Sequence, residues 1–454
     1  MRESTATWDL KKIIEKRKAK SLSQTVSSRQ WMNHFARNTV FRQLKKMHSG
    51  HLSIVEGNDK TLFGNSNAST SLSATLTIVN PNAYVDIMTS GSIGAAEAYM
   101  AGYWTTPDLT EVIQVMVRNR DIVDQLEGGL TLLTKPILKA IHWLNRNTQT
   151  GSKRNIVAHY DLGNEFFKLF LDKKMMYSSA IFPNENASLE EAAIYKLDHI
   201  CRKLQLKPSD HIVEIGTGWG GFAIHAATYY GCKVTTTTIS EQQYAFAKEQ
   251  IANEGLEDKI TLLKQDYREL RGEFDKLVSI EMIEAVGWQF YNTFFEQCSR
   301  LLKPNGVMLL QAITIEDQRY DSARGNVDFI QRYVFPGSCI PSLHALNTAS
   351  KESSDMRPIH QEDFAEHYAR TLKVWHERFQ MQRDAVLDQG YSEEFIRMWK
   401  FYLSYCEGGF SERAIGVSHI MYAKPLYREE RVINVDYKQK DDSRLQLKGV
   451  EREK

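Results

Sequence analysis

The chain has no apolar run of about 18 residues, the length a membrane-spanning helix requires. Residues 1–20 are charged throughout and lack the apolar stretch of a signal peptide. Cysteines are few: Cys201, Cys232, Cys298, Cys339 and Cys406 are odd in number, scattered and without zinc spacing. They support neither a disulfide framework nor a zinc site, and they read as reduced thiols of a cytoplasmic protein. His159, His225 and His360 also lack ligand spacing, so no metal is expected. An excess of one charge is missing too, since the net charge is +1, which argues against a general nucleic-acid binder. The remainder is ordinary for a folded chain, with 42% hydrophobic and 25% charged residues, and 454 residues leave room for two domains.

Charge is uneven along the chain. Lys11, Lys12, Lys16, Arg17, Lys18, Lys20, Arg29, Arg37, Arg42, Lys45 and Lys46 face a single acid, Glu15, in the same stretch. Such a cluster can hold a protein on anionic lipid, each charge contributing about 1 kcal/mol, or it can be a solvated helix face. A basic segment 1–27 is expected to precede an N-terminal domain over 28–143, with helical stretches at 31–47 and 109–117 and a strand-like segment at 74–79. Residues 144–155, polar and without periodicity, read as a linker. A charged tail follows at 426–454.

From residue 156 to 425, strand and helix patterns alternate, which implies an α/β domain with a mostly parallel sheet. The strand candidates are 211–215, 233–239, 260–264, 276–280, 307–314 and 416–423. Ligands of such sheets bind beyond the carboxyl ends of the strands, where Gly216, Ser240, Asp266, Glu284 and Gln311 all fall. A long aromatic-rich insertion, 316–413, is expected to be helical and to cover that edge.

The strand at 211–215 ends in Glu214-Ile215 and runs into Gly216-Thr217-Gly218-Trp219-Gly220-Gly221, followed by a helical pattern over 222–230. Glycines there let a ligand lie against the backbone, and the helix N-terminus points at it. The spacing also satisfies the dinucleotide fingerprint, but a dinucleotide site wants an acid about 20 residues on, at the end of the next strand. That strand ends in Thr238-Ile239-Ser240 instead. The carboxylate sits at Glu214, before the glycines, which favours S-adenosylmethionine over NAD.

Several motifs in order then resemble one family. They are His159-Tyr160-Asp161-Leu162-Gly163-Asn164-Glu165-Phe166-Phe167, Met176-Tyr177-Ser178-Ser179-Ala180, the glycine loop, Ile239-Ser240-Glu241-Gln242-Gln243, Glu281-Met282-Ile283-Glu284-Ala285-Val286-Gly287, Phe335-Pro336-Gly337-Ser338-Cys339-Ile340-Pro341-Ser342 and Phe401-Tyr402-Leu403. Together they look like the cyclopropane-fatty-acyl-phospholipid synthases and their mycolic-acid methyltransferase relatives, and residues 91–104 resemble the synthases' N-terminal domain. The resemblance implies a Rossmann-like class I methyltransferase domain with a seven-stranded sheet, preceded by a smaller lipid-interacting domain. It also implies peripheral contact with the inner face of the membrane, unsaturated phospholipid as substrate, and a homodimer as a possible assembly.

The site residues follow from the same resemblance. Tyr177, Ser178, Glu214 and the loop Gly216, Thr217, Gly218, Trp219 and Gly220 would meet the methionine end of S-adenosylmethionine. Thr238, Ser240 and Gln243 would serve the ribose, and Asp266, Tyr267 and Arg268 the adenine. In the family a cis double bond takes the methyl group, a carbocation forms, and a bound bicarbonate ion removes the proton. The cation calls for a dry, aromatic pocket. The positions that would hold bicarbonate are Ser179, Glu284, Gln311, Ile313 and Tyr402. Two depart from the common bacterial pattern, Ser179 for Cys and Gln311 for His, and plant-type synthases look similar at both. Read without the family, Glu284 is also an acid favoured at a helix start, and Tyr402 belongs to an apolar stripe with Phe395, Met398 and Trp399. A C-methyltransferase acting on the same double bond, and a lipid-binding protein without turnover, are the other functions compatible with these residues.

Overall fold

The computed structural model describes residues 26–64, 72–128 and 162–429. The expected linker 144–155, the His159-Tyr160-Asp161 motif, nearly all of segment 1–27 and the tail beyond Glu429 lie outside the described residues.

In the N-terminal part, the helix Val26–Leu44 buries Ala36, Val40, Phe41 and Leu44, a spacing that lines one helical face. Strands β1 (His51–Glu56), β2 (Asp59–Gly64), β3 (Ser73–Ile78) and β4 (Trp104–Thr105) form a sheet in the order β2-β1-β3-β4. Along β3 the side chains of Ala74, Leu76 and Ile78 are buried in strict alternation, which is why that strand was legible. β1 and β2 were not foreseen, because Asp59-Lys60-Thr61 is polar and β1 buries three residues in a row. The helix Asn82–Met100 is broken at Gly91, whose φ of 57° and ψ of −133° suit glycine. The helix Leu109–Arg118 is capped by Asp108, which accepts from the Glu111 amide at 2.9 Å.

The larger part is built on a seven-stranded sheet. Its strands are β5 (His211–Ile215), β6 (Lys233–Thr237), β7 (Ile260–Leu263), β8 (Phe274–Ile280), β9 (Leu302–Ile315), β10 (Arg357–Asp363) and β11 (Ile415–Ala423). They lie in the order β10-β11-β9-β8-β5-β6-β7. β7, β6, β5, β8 and β9 run parallel, while β11 is antiparallel to β9 and β10 to β11. The α/β class and the parallel sheet were therefore foreseen.

The insertion 316–413, expected to be helical, is helical in all of its elements but one. It contains the seventh strand, β10, beside the helices Ala365–Met381 and Glu393–Ser411. Arg-Pro-Ile-His-Gln-Glu-Asp has no apolar alternation because β10 is an edge strand, and Pro358 sits at a bulge where a missing N–H is tolerated.

One apolar cluster runs from the N-terminal sheet into the insertion. It joins Val112 and Ile113 to Phe401 and Phe410, and it includes the fully buried Trp375 and Trp399. Burying each such ring stabilises the fold by about 1.5–3 kcal/mol. Arg118 and Glu412 add an ion pair of 2.6 Å across the same contact. The strand ends of the large sheet thereby face a roof made by the insertion and the N-terminal part.

Candidate active site

The turn after β5 carries the first half of the site. Gly216 and Gly218 have φ of 100° and 53°, conformations open to glycine. Trp219 donates its indole N–H to Asn164 Oδ1 at 2.8 Å, fixing the loop to the helix Asn164–Phe167. A Cβ on Gly221 would lie 2.4 Å from Met176 Sδ, so the segment of Met176, Tyr177 and Ser178 presses on the turn. The helix expected over 222–230 is α-helical only for Gly221–His225 and continues to Tyr230 as a wider π turn.

Glu214 is buried at the end of β5 and accepts from Thr236 Oγ1 at 2.6 Å. Burial pushes its carboxyl up to about 8, against the pull of Thr236 and the Lys196 ammonium. Lys196 itself is fully buried, donates to Ser178 Oγ at 2.9 Å, and is lowered to about 8 by burial. Thr238 donates to Gln243 Oε1 at 3.0 Å, and both line the cavity. Ser240 does not: its hydroxyl caps the helix Glu241–Asn253 by accepting from the Gln243 amide at 3.3 Å. Gly220 is also off the cavity wall, packed against Ala247 and Ile224. Asp266 is clamped by Arg268 at 2.8 and 2.6 Å, and the hydroxyl of Tyr267 is buried without a hydrogen-bond partner.

The second half lies at the ends of β8 and β9. Glu284 accepts from the Ile313 amide at 2.5 Å through Oε1, while its Oε2 is buried and unpartnered. Burial, reinforced by the neighbouring Glu281 charge, raises Glu284 to about 8. Its backbone carbonyl accepts from the Cys339 amide at 2.8 Å, which seats the Phe335-to-Ser342 motif against it. Tyr402 and Tyr177 share a hydrogen bond of 2.9 Å between their hydroxyls. Around them Tyr177 packs on Trp375 at 5.4 Å and Tyr402 on Trp399 at 5.1 Å, with Phe335 beside both tyrosines.

Two of the expected anion contacts are engaged elsewhere. Gln311 donates through Nε2 to Glu281 Oε1 at 2.7 Å and accepts at Oε1 from His419 Nε2 at 2.9 Å. The Ser179 amide donates to the same Glu281 Oε1 at 2.8 Å. Neither residue lines the cavity, and Glu281 does. Glu281, Tyr368, Lys196 and Trp375 were not singled out from the sequence. Glu281 opens the motif that runs to Gly287, three residues before the more obvious Glu284. Lys196 looks like any lysine of the helix Leu189–Lys203.

His199, Glu362 and His419 present ligand atoms within 4.8 Å of one another. The Lys203 ammonium already pairs with Glu362 and lies 3.1 Å from His419 Nδ1, so a cation is in place without a metal.

A cavity of about 820 Å³ joins these features. It runs from Glu214, Gly216 and Asp266, past Glu281, Glu284 and Tyr402, to Leu52, Ile54, Leu76, Ile78 and Val112 of the N-terminal part. The loop is a cradle that a side chain at 216 would fill, since its Cβ would sit 3.3 Å from Met282. These residues fit S-adenosylmethionine, with Glu214 for a cationic group and Tyr267 for a polar edge. Sheet order, glycine turn and strand-end acids define a class I S-adenosylmethionine-dependent methyltransferase.

The comparisons narrow the class. Residues 147–420 match the model of the mycolic acid cyclopropane synthetase family, and the chain belongs to that family as an S-adenosylmethionine-dependent enzyme. It is 36% identical over 362 residues to the cyclopropane-fatty-acyl-phospholipid synthase of Escherichia coli, covering 79% of this chain and 90% of that one. It is 34% identical over 357 residues to the tuberculostearic acid methyltransferase of Mycobacterium tuberculosis, covering 75% and 79%. A crystal structure of a mycolic acid cyclopropane synthase complexed with SAH and CTAB superposes with a TM-score of 0.57 at 30% identity, covering 60% of this chain and 98% of that one.

Proposed function

We propose that the chain is a cyclopropane-fatty-acyl-phospholipid synthase, adding a methylene from S-adenosylmethionine across the cis double bond of an unsaturated phospholipid acyl chain. The observation that carries this reading is a cavity that joins the glycine loop to an apolar compartment of the N-terminal part. The cofactor supplies an electrophilic methyl group. Glu214 and the loop hold its methionine end, Thr238 and Gln243 its ribose, and Asp266, Tyr267 and Arg268 its adenine. Tyr177, Tyr402 and Phe335 line the cavity and present ring faces to the cation, with Trp375 packed behind Tyr177, and together they keep water out. The resemblance gives proton removal to bicarbonate, for which Glu284 Oε2 and the Tyr402 hydroxyl are the contacts left at the cavity.

In this reading residues 28–143 form a lipid-facing domain, 316–413 roofs the site, and the protein works at the inner face of the membrane. Among the described residues no helix is long and apolar enough to cross one. The test is mass spectrometry of unsaturated phospholipid treated with protein and methyl-deuterated S-adenosylmethionine. A ring keeps two methyl deuterons and no double bond. A methyl branch that keeps all three, together with unsaturation, would favour the alternative C-methyltransferase, in line with the methyl transfer for which the mycobacterial relative is named. No transfer at all would reject both.

A further inference from the structure

The geometry points to Glu281 as the base of the reaction: a resident carboxylate that takes the place of an exogenous ion and removes the proton from the methyl-bearing cation. This rests on the synthase reading above. Glu281 sits directly after β8 with φ at 48°, a left-handed conformation disfavoured for a residue with a side chain. The strained backbone sets its carboxylate among donors. Oε1 accepts from the Ser179 amide at 2.8 Å and from Gln311 Nε2 at 2.7 Å, and Oε2 accepts from the Tyr368 hydroxyl at 2.7 Å.

Ser179 and Gln311 are two of the positions that would otherwise have held bicarbonate, and here both point at a side chain of the protein. The orientation of Gln311 is fixed from behind. Lys203 has only protons to offer His419 Nδ1, so His419 Nε2 carries a hydrogen and donates to Gln311 Oε1. The Gln311 Nε2 donor is thereby left facing Glu281. A bicarbonate ion would bring a second negative charge against this carboxylate in a buried site.

Two acids share the cavity wall, and their surroundings divide the roles. Burial pushes the Glu281 carboxyl up, and its three donors and the Lys196 ammonium pull it back toward the charged form. Glu284 has the Ile313 amide and the repulsion of Glu281, and it holds its proton more tightly for that reason. Glu281 is therefore the ionised member. With both lone pairs of Oε1 engaged, one lone pair of Oε2 remains to accept. In the step assigned to it, a C–H bond of the transferred methyl breaks and its electron pair closes the second C–C bond of the ring. The proton goes to Glu281 Oε2 and leaves to water after the product departs.

The experiment compares labelled-methyl transfer into unsaturated phospholipid by the parent, E281Q and E281G, in bicarbonate-depleted buffer and with anions added back. The parent should turn over equally with and without bicarbonate, a measurement that needs no variant. E281Q should bind S-adenosylmethionine within about twofold of the parent and lose at least about 100-fold in turnover, the scale of a missing general base. E281G relieves the backbone strain and vacates the cradle. It should be nearly inactive in depleted buffer and regain turnover with formate, acetate and bicarbonate in order of increasing basicity, a ranking that a merely structural role would not follow. Bicarbonate dependence of the parent, near-parent turnover of E281Q, or rescue of E281G that ignores basicity would each overturn the assignment. A parent that binds S-adenosylmethionine but labels no lipid would instead overturn the synthase reading beneath it.

Discussion

The hydroxyls of Tyr177 and Tyr402 lie 2.9 Å apart and join the segment beside the glycine loop to the helix Glu393–Ser411. Tyr402→Phe keeps the ring face and removes this tie, leaving the hydroxyl of the half-buried Tyr177 with one partner fewer. A lost buried hydrogen bond costs about 1–3 kcal/mol. Because the tie orders the pocket around the reacting carbon, turnover should fall about tenfold or more while affinity for S-adenosylmethionine stays within about twofold. Calorimetry beside a lipid-labelling assay checks this, and an equal loss in both would place Tyr402 in cofactor binding instead.

The glycine turn should be sensitive in a graded way. At Gly218 an added Cβ meets no protein atom within 4 Å, so the protein resists it through the φ of 53°, a strain of about 1–3 kcal/mol, while a branched side chain would also stand between the backbone and the cofactor. At Gly221 the Cβ would lie 2.4 Å from Met176 Sδ. Gly221→Ala must displace Met176 and with it Tyr177. Gly218→Val should weaken cofactor binding by roughly tenfold to a hundredfold, and Gly221→Ala should reduce turnover as well as binding. Intact binding in both variants would remove the loop from the cofactor site.

The parallel strands were readable because their apolar runs end in glycine or polar signals at regular intervals. Glu214 and the loop were readable because backbone geometry restricts which residues can stand there. Legibility stopped where a residue's role depends on contacts from distant parts of the chain. Ser240 is a local case instead, since its hydroxyl caps the helix Glu241–Asn253 by accepting from the Gln243 amide three residues on. Gln311 and Ser179 looked like anion contacts, and the competing group was Glu281. Its left-handed backbone cannot be inferred from the apolar run that ends at Ile280. Strand β10 was hidden because an edge strand need not be apolar.

Stability should depend on pH through the buried acids. Glu214 and Glu284 move from an ordinary 4.5 to about 8 in the folded protein, chiefly through burial. Across that window the folded state keeps protons that the unfolded chain has lost, so stability is greatest at the acid side and falls as pH rises. Chemical denaturation midpoints of the cofactor-free protein should decline between about pH 5 and pH 8. Glu214→Gln, which can still accept from Thr236, should flatten part of that decline. Binding of the cationic cofactor beside Glu214 favours the carboxylate, so affinity should rise with pH and binding should release protons. A midpoint that rises over this range would contradict the buried neutral state of both acids.

Trp31 and Phe35 stand one turn apart on the helix Val26–Leu44, stacked at 5.7 Å between ring centres and 70% and 49% exposed. Large aromatic rings in water beside a basic stretch suit the interface of an anionic bilayer, where rings enter the headgroup layer and lysines meet phosphate. Not every basic residue is available for this, because Arg37 is engaged by Glu56 at 2.6 Å. The two contributions separate by salt. Charge attraction weakens as ionic strength rises, and ring insertion does not. Replacing both rings by alanine should lower binding to anionic vesicles by about tenfold or more at any salt. It should leave thermal stability nearly unchanged, since exposed positions contribute within about 0.5 kcal/mol. Sedimentation with vesicles of graded anionic content makes the measurement. Unaltered binding in the double variant would mean that the rings face water in the working enzyme and that contact with lipid lies elsewhere on the molecule.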